Sequence, residues 1–103
     1  MESIKSKFTW ESATQVLVVD NREVFEMMVK TVLERDGLHK EAQASRRNGQ
    51  YASYESYLEA SRGFDERYKG MVAATCAITG LDKCFVTNVV ESRALADKIS
   101  KNF

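Results

Sequence analysis

The stretch from Asp20 to Gly37, DNREVFEMMVKTVLERDG, constrains the chain more than any other, because it joins two end signals to a broad apolar face. Asp20 followed at the third place by Glu23 is a capping box, and Val19 and Val24 stand at the spacing of a hydrophobic staple. Gly37 comes where a left-handed residue would close the last turn. Together these signals predict a scaffold helix over 20–37. At 100° per residue, Val24, Phe25, Met28, Val29, Val32 and Leu33 cover an arc of roughly 180°, so neighbours are expected on two sides. Glu23, Glu26, Lys30 and Glu34 gather opposite, with Glu26 and Lys30 in the favourable i, i+4 order.

The rest of the chain reads as helices packed around that one. Proline is absent from all 103 residues, and a chain without proline runs helices and tight helical turns uninterrupted. The expected fold is therefore all-α, a compact bundle of four to six helices in a single domain over 1–103, with residues 1–9 as an arm. From Leu38 a short helix is expected to reach Arg47 and stop at Asn48-Gly49, a dipeptide that favours left-handed conformations. Tyr51, Tyr54, Tyr57 and Leu58 repeat at helical spacing, Gly63 marks a break, and a further helix from Asp65 to Thr79 ends against Gly80. Within it Tyr68, Met71, Val72, Ala74, Thr75 and Ile78 are expected on a buried side. The last helix, Asp82 to about Lys101, has Phe85, Val89, Ser92, Ala96, Ile99 and Phe103 at alternating steps of four and three, a heptad-like seam. Residues 15–19 are open to either reading, strand or helix, being β-branched and too short for periodicity to decide. Read as a strand, VLVVD before a helix ending ERDG resembles the opening of a response-regulator receiver domain over about a fifth of the chain. That family has paired acidic residues where this chain has Asp20 and Asn21.

Fifteen basic and fifteen acidic residues cancel, so bulk electrostatics point to neither nucleic acid nor a membrane surface. The apolar runs VLVV and MVAATCAI are too short to span a bilayer. A cytoplasmic location is expected, with Cys76 and Cys84 as free buried thiols. The single histidine, His39, lies in a charged stretch, LHKEA, and no phosphate loop, nucleophile elbow or zinc spacing accompanies it. The expectation is a protein without enzymatic activity, cofactor or metal.

Two segments carry binding signals. In SRRNGQYASYESY, Arg46 and Arg47 precede the turn and Tyr51, Tyr54 and Tyr57 follow it. Arginine and tyrosine dominate binding hot spots because each joins a large contact area to a hydrogen-bonding head. In VAATCAITGLDKCFVTNVVE, Cys76, Gly80, Leu81, Val86 and Val89 stand at the positions that resemble a helix-turn-helix. That resemblance implies a DNA-reading face on the second helix, carried by Lys83, Thr87 and Asn88. The leading expectation is a small regulatory or inhibitory protein that docks on another protein, similar in size and composition to phage-type inhibitors and adaptors. The second is a helix-turn-helix transcriptional regulator using residues 72–91. The carboxy-terminal seam adds a homodimer as a further expected partner.

Overall fold

The computed structural model describes residues 10–101, and the expected arm over 1–9 and the seam residue Phe103 lie outside them. The described chain is all helix. Helix α1 is α-helical over 10–14 and widens to a π-helical segment, Gln15–Asp20. Helix α2 spans Arg22–Arg47, α3 spans Tyr51–Thr79 and α4 spans Lys83–Lys101. The strand alternative for residues 15–19, and with it the receiver-domain resemblance, is thereby replaced by helix.

Helices α2 and α3 form one long hairpin, and α4 packs mainly against α2. The molecule measures 57 × 32 × 24 Å with a radius of gyration of 16.5 Å, against about 13 Å for a compact domain of this length. It is thus more drawn out than the expected compact bundle. The core occupies one end. Leu17, Phe25, Met28, Val32, Val72, Val86 and Val90 are all less than 2% exposed, and no core-cluster residue falls between 34 and 67. The distal half of the hairpin closes instead on small side chains, Ala42, Ser45 and Ser61, with the Ser61 hydroxyl donating to the Arg35 carbonyl at 2.9 Å.

The scaffold helix is longer than its local signals predicted. Asp20 caps nothing, because the π segment runs through it and the break falls at Asn21 (φ −121°, ψ 40°). There the Asn21 amide donates to the Val16 carbonyl at 2.7 Å, while its own carbonyl accepts the Phe25 N–H at 2.9 Å. Val19 and Val24 are 61% and 40% exposed and form no staple. Gly37 and Gly63 end nothing either: both are interior helical positions, so the short helix from Leu38 merges into α2 and the Gly63 break is absent. A helical glycine costs about 1 kcal/mol against alanine, and both helices run through theirs unbroken. The arc of α2 is narrower than expected: Phe25, Met28, Val29 and Val32 are buried and Leu33 is half-buried against the core, but Val24, expected at one edge, is 40% exposed.

A cap glycine at 37 would make alanine harmful; the continuous helix reverses the sign. An added Cβ at Gly37 meets nothing within 4 Å, so Gly37→Ala is expected to raise stability by about 0.5–1 kcal/mol. Urea unfolding of the variant checks this, and a loss of stability would restore the helix end at Gly37.

The seam of α4 is rotated by one residue from its predicted phase. Val86, Val90 and Ala94 are buried, Phe85 and Val89 flank them, and Ser92, Ala96 and Ile99 are exposed. Because Phe85-Val86 and Val89-Val90 are adjacent apolar pairs, periodicity had no means of choosing between the two phases. Asp82 starts the helix by accepting the N–H groups of Cys84 and Phe85 at 3.0 and 3.4 Å. On α3, Tyr68, Val72 and Thr75 are buried as expected and Met71 is half-buried, but Ala74 and Ile78 face outward.

Candidate functional site

The turn at Asn48-Gly49 is fixed by backbone hydrogen bonds. Gly49 has φ 74°, the left-handed region where a side chain is strained. Its N–H donates to the Arg46 carbonyl at 3.1 Å and the Gln50 N–H to the Ser45 carbonyl at 2.8 Å. These are the paired bonds of a Schellman motif, which satisfy the last carbonyls of α2 and set the direction of the returning helix. Arg46 and Arg47 are the last two residues of α2, and Tyr51 is the first of α3. The turn therefore brings the predicted residues together at the tip of the hairpin, at the opposite end from the core. Arg46, Arg47 and Tyr51 are exposed, Tyr51 by 65%. Tyr54 is half-buried, with the Arg46 guanidinium 5.8 Å from its ring centroid, and Tyr57 is 37% exposed one turn further along. The tip thus offers two cations beside a tyrosine stripe on a backbone fixed by hydrogen bonds.

A group that sequence reasoning missed ties the three long helices together where the core ends. Arg35 directs Nε to Asp36 at 3.0 Å, Nη1 to Asp65 at 3.0 Å and Nη2 to Glu91 at 3.5 Å, and its guanidinium carbon lies 5.5 Å from the Tyr68 ring centroid. Asp36 also meets Lys98, and Asp65 meets Lys69 at 3.2 Å. One arginine thereby joins α2, α3 and α4. Burial works against the charge on both Asp36 and Asp65, yet hydrogen bonds from Lys98 and Arg35 to the first, and from Lys69 and Arg35 to the second, hold both carboxyls below their ordinary range. Arg35 is raised in turn: burial opposes its charge, and Asp36 and Asp65 outweigh that. No sequence signal marks this group, since its long-range pairs join residues on different helices: Arg35 with Asp65, Arg35 with Glu91, and Asp36 with Lys98. A cleft of about 340 Å³ opens beside it, lined among others by His39, Arg62 and Leu58.

Tyr68 sits under Arg35, 3% exposed, with a hydroxyl that has no hydrogen-bond partner among the described residues. Burial, and then the Glu91 carboxylate, push the phenol up to about 12. A folded value above the ordinary 10 means that the contribution of Tyr68 to stability is complete below pH 10 and is lost as pH rises towards 12. Tyr68→Phe is expected to remove that alkaline loss. At neutral pH it is expected to leave stability unchanged or raised by up to about 1 kcal/mol, since the hydroxyl it deletes is unsatisfied. Denaturant unfolding at pH 7 and at pH 11 checks both.

The apolar positions of the helix-turn-helix resemblance lie on the core side. Gly80 has φ 75°, Val86 is fully buried, and Cys76, Leu81 and Val89 rest half-buried on the core. Thr75 and Thr79 are accommodated there because their hydroxyls donate to the carbonyls of Met71 and Thr75, at 2.7 and 2.6 Å. On the outer face Lys83 and Asn88 are exposed, while the Thr87 hydroxyl is taken up by the Lys83 and Cys84 carbonyls at 3.0 and 3.1 Å. Both cysteines are free, but only Cys76 is partly covered; Cys84 is exposed, contrary to expectation. Among the described residues no helix is long and apolar enough to cross a membrane.

A scan against protein-family models finds no match, and neither a curated protein nor a solved structure shows significant similarity to the chain.

Proposed function

We propose that the protein acts by docking the tip of its hairpin, Arg46, Arg47 and Tyr51 with Tyr54 and Tyr57 behind them, onto an acidic surface of another protein. It is then a small regulatory or inhibitory protein that works by occupancy and carries no chemistry of its own. The observation that supports this most is the Schellman turn, because it fixes two cations and an exposed tyrosine at one end of an elongated scaffold. A preorganised patch loses little conformational freedom on binding, so more of its contact energy appears as affinity. The experiment is affinity capture from the source cell with the wild-type chain and with Arg46→Glu/Arg47→Glu. The reading expects a captured protein that the charge-reversed chain does not hold; equal capture by both removes the tip from the interface.

The left-handed Gly80 and the buried Val86 favour a second reading, DNA binding through Lys83, Thr87 and Asn88. That face supplies few cations, whereas affinity for DNA depends on neutralising phosphates. Retention on random duplex DNA with steep release by salt would support it over docking on a protein.

A further inference from the structure

Helix α3 presents a second surface, which runs from Tyr57, at the edge of the docking tip, towards the core end. Tyr57, Phe64, Met71 and Ile78 recur every seven residues, and the residue before each is small: Ser56, Gly63, Gly70 and Ala77. Between the two rows run Ala60, Arg67 and Ala74. At 100° per residue these rows are neighbours on the flank of α3 beside the buried line Ser61, Tyr68 and Thr75. Among the described residues nothing covers the outer part of this flank. An added Cβ at Gly63 or Gly70 meets no atom within 4 Å, and Ile78 is 80%, Met27 57% and Val24 40% exposed. An apolar cavity of about 190 Å³ opens there between α2 and α3, walled by Val24, Met27, Met71, Ala74 and Ile78, with no residue of α4 in its lining.

We infer that this face is closed by a second copy of the chain, with α3 antiparallel to its counterpart about a two-fold axis near Gly70 and Met71. The small rows of the two α3 helices then meet and allow close approach, while Phe64, Met71 and Ile78 with Met27 and Val24 from both copies fill the space between four helices. The charges suit a partner of the same kind. The chain is neutral overall, so two copies carry no net repulsion. Arg67 is the only charged residue in the three rows; it already lies 5.1 Å from its own Phe64 ring centroid, and this register sets the two Arg67 side chains about 10 Å apart along the axis. On the neighbouring edge of α2, Lys30 and Glu34 make no ion pair among the described residues. The antiparallel arrangement brings Lys30 of each copy beside Glu34 of the other. The overlap about that axis, about 18 residues of helix at 1.5 Å each by two helices of about 10 Å, covers about 540 Å² per copy. The total of about 1,100 Å² clears the roughly 1,000 Å² that a specific interface needs.

Sedimentation equilibrium of the full chain, from micromolar to submillimolar concentration, reads the association directly. The expected mass is twice 11.7 kDa at the upper end. Ile78→Glu and, separately, Gly70→Leu are each expected to weaken the dimer by about 100-fold or more with unchanged helical circular dichroism, since both positions are open in the single chain. Leu95→Glu, on the outer face of α4, is expected to leave it intact. A wild-type chain that stays monomeric throughout overturns the inference and leaves the face to a foreign partner. A dimer that survives both α3 substitutions, or that dissociates only with Leu95→Glu, overturns it equally and moves the contact elsewhere.

Discussion

Changing Arg46, Arg47 and Tyr51 together to alanine is expected to weaken binding to the docked protein by several kcal/mol while the protein stays folded with its helix content unchanged. All three side chains are exposed, and exposed substitutions cost within about 0.5 kcal/mol each. None of them makes a bond that holds the turn: the Schellman bonds run between backbone groups, and Gly49 supplies the left-handed conformation. The contact that is lost inside the chain is the Arg46 guanidinium over Tyr54, worth about 0.5–1 kcal/mol at an exposed site. Against a partner the same groups count for far more, because a hot-spot residue contributes about 2 kcal/mol or more when fully covered. The salt dependence of association should weaken with the two arginines gone. Lys83→Ala with Asn88→Ala, on the face that the helix-turn-helix resemblance implies, is expected to leave the same binding unchanged. Calorimetric titration of the three proteins against the captured partner measures all of this.

The second large effect concerns stability. Val90→Asp is expected to unfold the domain. Val90 is fully buried in the same apolar cluster as Val86, and a charge buried in such a place costs several kcal/mol out of a total of about 5–15. Ser92→Asp, two residues along the same helix at an exposed position, should change stability by no more than about 0.5 kcal/mol. The pair of variants separates the two phases of α4, because the seam read from the heptad spacing places Ser92 inside and predicts the reverse. Circular dichroism at a single temperature is enough to tell them apart.

Local chemistry was readable where it is decisive, and hidden where packing decides. Gly49 and Gly80 were placed correctly because each terminates a helix in a left-handed conformation that few other residues adopt. Gly37 and Gly63 looked the same in sequence but lie inside helices, where a glycine costs about 1 kcal/mol without breaking them. Asp20 and Glu23 spelled a capping box that the π segment overran, one residue short of the break at Asn21. The choice between Val89 and Val90 depends on which apolar neighbour meets α2, a contact that no local pattern encodes. At the tip, Arg46, Arg47 and Tyr51 were legible because two turn-forming residues stand between them. The Arg35 group was not, since Asp65 and Glu91 reach it from other helices.

Site-specific photo-crosslinking tests the hairpin tip as the contact surface most directly. A benzoylphenylalanine placed at Tyr51, and in a second protein at Asn88, would be irradiated in the presence of the captured partner and of duplex DNA. The tip reading predicts a covalent adduct to the partner protein from position 51 and none from position 88. Adducts from position 88 alone, to protein or to DNA, with position 51 silent, would contradict it.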